Sequence, residues 1–247
     1  MALNRLRTPY GPPALVALRD ALHQLQGGDP LAAVTVVVHS NAVGVTARRW
    51  LAANGGVAAA QFLTAFRVAE LLGGPVLAQQ GRRPVSTPVI DVAVRQVLQR
   101  KPGVFAPIAT HQATITALRD ASRELRHLSA DAVSRLASGS ERAREVVRVH
   151  RQVERMLADQ WYDEADLLRV AATEGGSLAP ARTIVFLPQR TRPTELALFD
   201  MLAQHGDVVM IEGDSTQPLD PGFLSTVDTS DADEEVREAV RTVAAAV

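Results

Sequence analysis

The sequence predicts an α/β fold in which a parallel sheet is interrupted by an inserted block of helices. Two short runs rich in β-branched residues, VTVVV at 34–38 and TIVFL at 183–187, are apolar at successive positions. Such runs are typical of strands buried on both faces of a parallel sheet. We expect them to lie side by side, with 207–213 in the same sheet. Residues 89–160, in contrast, show helical periodicity alone, which indicates an inserted subdomain.

The predicted elements of the first sheet segment alternate between helix and strand. Glycine pairs mark the expected helix ends, since glycine is the residue that most often follows a helix. In chain order the predictions are helix 12–26, strand 34–38, helix 46–53, strand 57–63 and helix 66–72. We expect a polar loop at 39–45, between the first strand and its helix.

The remaining elements follow from the same periodicities. The insertion is predicted to hold four helices, the third with Ser129 as N-cap, at 89–98, 110–128, 129–136 and 141–157. The chain then returns to the sheet through strand 183–187, helix 195–205 and strand 207–213, and a last helix lies within 227–247. The predicted domains are a sheet domain of residues 1–88 and 161–225, a helical insertion of 89–160, and the start of a following domain at 226–247.

The composition excludes several classes of function. The chain has no cysteine, so it forms neither a disulfide framework nor a cysteine-ligated zinc site. Its six histidines are scattered without a paired metal-binding spacing, and we expect no metal site. The sequence shows no apolar run of about 18 residues and no signal-peptide core. These features predict a cytoplasmic protein without a membrane span.

Residues 34–50, VTVVVHSNAVGVTARRW, have the strand–loop–helix order in which nucleotide-binding proteins place a phosphate loop. Such a loop needs glycines, a lysine for the β- and γ-phosphates and a hydroxyl for Mg²⁺. This segment has one glycine and no lysine, and the only lysine of the chain is Lys101 in the insertion. We therefore predict no catalytic residues and no ATP hydrolysis. Weak anion binding and a plain turn both remain open; the candidate anion ligands are Ser40, Asn41, Gly44 and Thr46.

The order of elements resembles the N-terminal helicase-like domain of an AddB-type subunit, in the UvrD/RecB superfamily of helicase–nucleases and of actinobacterial type. The resemblance covers nearly the whole chain, including PYGPPALVALRDAL, the segment 34–50, WYDEADLL and DADEEVREAV. It implies a RecA-like (P-loop NTPase-like) parallel sheet with a 1B-type helical insertion. GDSTQ at 213–217 resembles motif III of these helicases through Gly213, Asp214 and Gln217.

Active members of this family carry an Asp-Glu pair after the strand that corresponds to 183–187, whereas residues 188–192 of this chain contain no carboxylate. The resemblance therefore implies a non-catalytic domain without cofactors. Such a domain would be a scaffold for a motor subunit or further domains and a guide for single-stranded DNA, and we expect the native protein to continue beyond residue 247. Two other functions remain open: an ATP-dependent helicase fragment that uses ATP and Mg²⁺ at an unconventional site, and an unrelated α/β module that binds a phosphorylated small molecule.

Arginines at helical spacing form the candidate DNA-binding surface of the insertion. They are Arg119, Arg123, Arg126, Arg144, Arg148, Arg151 and Arg155. Phosphate contacts by such a stripe would bind DNA without reading its sequence. The alternative is a solvated face on which acidic residues pair with the arginines. The acids within 163–166 and 231–235 are interpreted as helix-start residues rather than metal ligands.

Overall fold

The computed structural model describes residues 3–214 and 232–245. The chain divides into two compact units, Met1–Gly213 and Asp214–Val247. In the second unit, the described residues form one helix, Ala232–Ala245, on which Val236 and Val240 are exposed. The first unit contains the sheet and the helical insertion, together with all candidate site residues except Asp214 and Gln217.

Strands and helices alternate through the described residues, with a run of helices in the middle. The strands are β1 (Asn4–Pro9), β2 (Val34–Val38), β3 (Ala60–Thr64), β4 (Arg83–Pro84), β5 (Trp161–Tyr162), β6 (Arg182–Phe186) and β7 (Asp207–Asp214). The helices are α1 (Pro12–Gln26), α2 (Asn41–Ala53), α3 (Ala65–Gln79), α4 (Thr87–Arg100), α5 (Gln112–Leu125), α6 (Ala130–Gly139), α7 (Glu141–Leu157), α8 (Glu164–Glu174), α9 (Pro193–His205) and α10 (Ala232–Ala245). None of these described helices has the length and apolar character that crossing a membrane requires.

Five strands form the main sheet, in the order β1-β7-β6-β2-β3. The pairs β2–β3, β2–β6 and β6–β7 are parallel, and Val36 of β2 lies opposite both Phe62 and Ile184. The α/β class is therefore confirmed, as is the prediction that 34–38 and 183–187 are neighbours in one sheet with 207–213. β1 was not predicted, because five of its six residues are exposed and the segment lacks an apolar run.

Helices cover both faces of the sheet. Successive residues of a strand point to opposite faces, and accordingly Val36 packs in a core with α1 and α2 while Val37 packs in a second core with α3, α8 and α9. The sheet therefore has two apolar interfaces. All five residues of β2 are buried, which is the physical reason why all but Thr35 are apolar.

Helices α4 to α7 form the insertion. α4, α5 and α7 share a core of their own, and Val133 of α6 packs in a small separate cluster with Leu125 and Val147. The two-residue strands β4 and β5 pair in parallel where the chain enters and leaves this block, with Arg83 opposite Trp161. The predicted bounds of α7 are confirmed, and Ser129 caps α6 by accepting the Ala132 N–H at 3.2 Å. Buried core residues of the insertion include Ile90, Val94, Ile115, Val149 and Val153.

The predicted end of the third helix is wrong, because α3 continues through Gly73 and Gly74 to Gln79. A Cβ atom added at Gly73 would lie 2.9 Å from both the Leu167 oxygen and the Ala171 nitrogen of α8. Glycine at this position therefore permits close contact between two helix backbones. The same residue type that usually ends a helix here serves the packing of α3 on α8.

Candidate functional site

The connection from β2 to α2 is much shorter than predicted. β2 ends at Val38 and α2 begins at Asn41, so the expected loop at 39–45 is wrong. Ser40 is the N-cap, and its hydroxyl oxygen accepts the Val43 N–H at 3.4 Å. A serine with an extended backbone is a favoured helix start, and this local cap places the helix five residues before the predicted start at Thr46.

The four candidate anion ligands lie on this helix end but do not form a phosphate loop. Asn41 and Thr46 are exposed helical residues. Gly44 is buried, and a Cβ added to it would meet Val38 Cγ2 at 3.4 Å and Phe62 Cβ at 3.5 Å. The glycine thus packs α2 against β2 and β3 instead of presenting its N–H to a ligand. Its N–H donates within the helix to the Ser40 carbonyl at 3.1 Å.

A crevice lies at the carboxyl ends of β2, β3 and β6. The chain passes from β2 to β3 on one side, and β6 occupies the other side of β2, so β2 is a topological switch point of the kind where open α/β sheets bind ligands. The crevice has a volume of about 110 Å³. Its polar lining residues are His39, Thr64, Glu164, Gln189, Thr191 and Glu195.

The lining of this crevice disfavours an anion. Burial raises the pKa of Glu164, Arg192 opposes that shift, and the charge of Glu195 adds to it. Glu195 Oε2 accepts the Arg192 N–H at 2.8 Å, which fixes its carboxylate at the start of α9. Two carboxyl groups therefore occupy the region in which a phosphate would need positive charge.

The loop after β6 has an unusual backbone. Leu187 and Arg190 have φ values of 48° and 44°, a conformation that residues other than glycine adopt rarely. The Leu187 N–H still donates to the Ile211 carbonyl at 2.8 Å, so the loop stays attached to the sheet. Strained backbone of this kind clusters at functional sites, and here it borders the crevice.

The segment that resembles motif III begins at the carboxyl end of β7. Gly213 and Asp214 are the last two residues of that strand, and Gln217 lies outside the described residues. A Cβ atom added at Gly213 would lie 2.1 Å from Tyr10 Cζ, so the ring of Tyr10 covers this glycine. Gly213 and Asp214 therefore end a strand of the same sheet, and Tyr10 packs against Gly213.

The seven candidate DNA-binding arginines differ in exposure. The side chains of Arg119, Arg126 and Arg148 are only 14%, 10% and 17% exposed, and each is paired with acidic residues. The helical spacing did not reveal this pairing, because the acids come mostly from other elements. Those that remain exposed are Arg123 on α5 and Arg144, Arg151 and Arg155 on α7.

Arg126 is the centre of an ion-pair cluster where the insertion meets α8. Its guanidinium contacts Glu154 of α7, Asp163 at the N-cap of α8, and Asp166. Burial opposes the charge on Arg126, but its hydrogen bonds to Asp163 and the nearby carboxylates outweigh that effect and raise its pKa. The acids at 163–166 are helix-start residues, as predicted, since Asp163 and Asp166 form a reciprocal capping box.

Two buried histidines extend this cluster, and the sequence did not single them out. His127 Nδ1 lies 2.9 Å from Thr194 Oγ1, and its Nε2 lies 3.1 Å from Arg192 Nη1. Because a guanidinium only donates, Nε2 accepts and Nδ1 donates to the threonine. His150 Nδ1 lies 2.9 Å from Ser122 Oγ. Burial lowers the pKa of both histidines, which favours the neutral form of both rings.

Among the described residues, no group of three or more histidine, aspartate or glutamate side chains is arranged to hold a metal ion. No protein-family model matches the chain, and no curated protein matches it.

Proposed function

We propose that the chain is a RecA-like, helicase-like domain that does not hydrolyse ATP and acts as a scaffold in a DNA-end-processing helicase–nuclease. The resemblance in element order supports this assignment, with residues 1–88 and 161–225 as the 1A-type part and 89–160 as the 1B-type insertion. The observation that carries the loss of catalysis is the β2–α2 connection, where a serine cap and a buried glycine replace a phosphate loop.

The lysine and the carboxylate pair that phosphoryl transfer uses are missing from the positions where active members of the family carry them. The only lysine, Lys101, lies at the end of α4 in the insertion. The first carboxylate after β6 is Glu195, which caps its own helix. Positioned cations and Mg²⁺ supply most of the transition-state stabilisation in phosphoryl transfer. A chain that lacks the lysine and the carboxylate pair at these positions should therefore have no turnover.

The proposed partners are a motor subunit or further domains of the same protein, and single-stranded DNA. Exposed Arg144, Arg151 and Arg155 share one side of α7, which supports contact with a phosphate backbone on the insertion. Arg148 lies between them in sequence but is paired with Glu145 at 2.9 Å. The DNA-guiding surface is therefore proposed for the exposed residues alone.

A steady-state phosphate-release assay tests the proposed loss of ATPase activity. We expect the rate with Mg²⁺ and ATP, with or without single-stranded DNA, to equal that of a blank without protein. Equilibrium dialysis with ATP and Mg²⁺ should likewise show no saturable binding. Turnover that disappears in the variant Ser40→Ala would contradict the proposal and favour an ATP-dependent helicase fragment.

A second candidate function is a module that binds a phosphorylated small molecule. The strand order β3-β2-β6-β7 supports it, because doubly wound nucleotide-binding sheets share this order. The carboxyl groups of Glu164 and Glu195 in the crevice oppose it. If this candidate is correct, NMR titration with a sugar phosphate will shift the amide signals of His39 and Thr64; if the scaffold proposal is correct, those signals will stay unchanged.

A further inference from the structure

A second cavity lies between the helical insertion and the elements that return the chain to the sheet. It has a volume of about 190 Å³ and is bordered by α4, α5, α7, β5 and the start of α8. It is separate from the crevice at the carboxyl ends of the strands, since the two share no lining residue. Its charged lining residues are Arg82, Arg119, Arg123, Arg126, Glu154, Asp163 and Asp166.

The acidic groups of this cavity are all engaged by arginines of the protein. Asp163 accepts from Arg126 at 2.8 Å and from the Asp166 N–H at 2.9 Å. Asp166 accepts from Arg82 at 2.9 Å and pairs with Arg126. Glu154 also pairs with Arg126. These carboxylates are therefore neutralised by the chain itself and leave no acceptor in need of a cationic ligand.

Three arginines of the same cavity retain hydrogen-bonding capacity. Arg82 uses Nε and Nη2, which leaves Nη1 without an acceptor in the described part of the chain. Arg119 donates from Nε and Nη1, and its Nη2 likewise has no acceptor among the described residues. Arg123 is 46% exposed. Its one hydrogen bond to a described residue goes to Thr87 Oγ1 at 2.9 Å, and its Nη1 lies 3.8 Å from Asp120 Oδ1, beyond hydrogen-bond distance. The hydrogen-bonding groups of the cavity that remain available to a ligand are thus guanidinium N–H donors.

The remaining wall of the cavity is apolar and partly aromatic. Ile90 and Val153 belong to the buried core of the insertion, and Leu157 packs against it. Trp161 and Tyr162 are half-buried and line the same space. A dry cavity of about 150 Å³ lined by such residues accepts benzene, so about 190 Å³ has room for one flat ring.

We propose that this cavity binds a small organic anion, in which a phosphate or carboxylate group is attached to a flat apolar body. The anionic group pairs with Arg123 and with the free donors of Arg82 and Arg119, and the ring packs on Ile90, Val153 and Trp161. Because the lining comes from both the insertion and β5, bound ligand holds the two together. This inference does not depend on the proposed scaffold function or on the crevice.

Trp161 provides a local signal for the test. The chain has two tryptophans, and the other, Trp50, lies on α2 and does not line the cavity. In the Trp50→Phe background, phenyl phosphate should change Trp161 fluorescence in a saturable way and raise the melting temperature. Benzyl alcohol, which keeps the ring without the charge, should bind about tenfold more weakly, because it forms no charge-assisted hydrogen bonds.

Two variants test the charge requirement, and one serves as a matched control. Arg123→Gln should weaken phenyl phosphate binding about fivefold or more, since one charge-assisted contact is lost. Ala158→Glu, at an exposed residue that lines the cavity, should weaken it by introducing a carboxylate. Arg144→Gln removes an exposed arginine outside the cavity and should leave the affinity unchanged.

Comparing phenyl phosphate, benzoate and inorganic phosphate shows which anionic group the cavity prefers and whether binding needs the ring. Tighter binding of both ring-bearing anions than of inorganic phosphate supports the proposed site. Equal binding of benzyl alcohol and phenyl phosphate would overturn it, as would an affinity that neither Arg123→Gln nor Ala158→Glu reduces. Absence of any saturable fluorescence change or melting shift up to millimolar concentrations would overturn it as well.

Discussion

Arg126 and Asp163 join the helical insertion to the sheet domain through two hydrogen bonds, from Nε to Oδ2 at 2.8 Å and from Nη2 to Oδ1 at 3.3 Å. Asp163 also caps α8 by accepting the Asp166 N–H. One ion pair therefore connects the end of α5 with the first turn of α8. Removing Arg126 would leave the largely buried carboxylate of Asp163 without its arginine partner.

Replacing Arg126 should destabilise the protein strongly. We expect Arg126→Met to lower the free energy of unfolding by about 3 kcal/mol, because it leaves the largely buried carboxylate of Asp163 without its arginine partner. Urea denaturation followed by circular dichroism measures this change. Arg151→Met, at an exposed arginine of α7, is the control and should cost less than about 0.5 kcal/mol. Equal effects of the two substitutions would show that the cluster has no special role.

Two helical glycines should respond to alanine in opposite ways. An alanine Cβ at Gly44 has ordinary contacts of 3.4 and 3.5 Å, so Gly44→Ala should stabilise the protein by up to about 1 kcal/mol through helix propensity. An alanine Cβ at Gly73 would lie 2.9 Å from backbone atoms of α8, so Gly73→Ala should be destabilising. Thermal unfolding of both variants measures the difference. A functional phosphate loop at residue 44 would instead require glycine, and a loss of nucleotide binding in Gly44→Ala would indicate one. A large loss of stability would contradict the expected gain in helix propensity.

Acidification should lower the free energy of unfolding already at pH values above those at which aspartates titrate. The pKa values of His127 and His150 are lowered by burial, so below about pH 6.5 the unfolded chain binds protons that the folded chain does not. Stability should therefore fall as the pH decreases from about 6.5 towards the folded pKa values, by at most about 1.4 kcal/mol per pH unit for each histidine. Urea denaturation at pH 7.5, 6.5 and 5.5 measures this slope.

Two variants assign the pH dependence. His127→Gln should reduce the slope, because one of the two histidines no longer takes up a proton in the unfolded chain. Glu164 acts in the opposite direction, since its raised pKa lets the folded chain bind a proton before the unfolded chain does. Glu164→Gln should therefore steepen the loss of stability on acidification. A slope that stays the same in both variants would place the titrating groups elsewhere.

Single-stranded DNA binding, if it occurs on the insertion, should depend on the exposed arginines of α7. We expect Arg151→Ala with Arg155→Ala to weaken binding of any sequence and to reduce the slope of log K against log salt concentration by about 1.4, or about 0.7 per lost phosphate contact. Fluorescence anisotropy at several salt concentrations gives both quantities. The control pair Arg48→Ala with Arg49→Ala removes two exposed arginines of α2. Unchanged binding in the α7 pair would identify that face as solvated surface and leave protein scaffolding as its role.

The sequence by itself determined the elements that depend on local signals, such as helix caps, or on burial along their whole length. β2 is apolar at nearly every position because helices cover both of its faces, so its sequence identifies a strand of a parallel sheet. α7 begins at Glu141, after the N-cap Ser140, and ends at Leu157. The signals for each helix end lie within a few residues of that end, so the sequence reveals them. The absence of a phosphate-loop lysine was also readable, because it requires no knowledge of neighbours in space.

Only the tertiary structure decided the features that depend on partners distant in the chain. Gly73 continues a helix instead of ending it because the backbone of α8 lies against it. Gly44 packs on β2 and β3, which no local pattern distinguishes from a glycine in a phosphate loop. Arg126 and Arg148 share helical spacing with exposed arginines, yet Arg126 binds acids of α7 and α8 while Arg148 pairs with Glu145 and the Lys101 carbonyl. Helical spacing fixes which side of a helix a residue lies on, but burial and charge pairing depend on which other elements pack against that side.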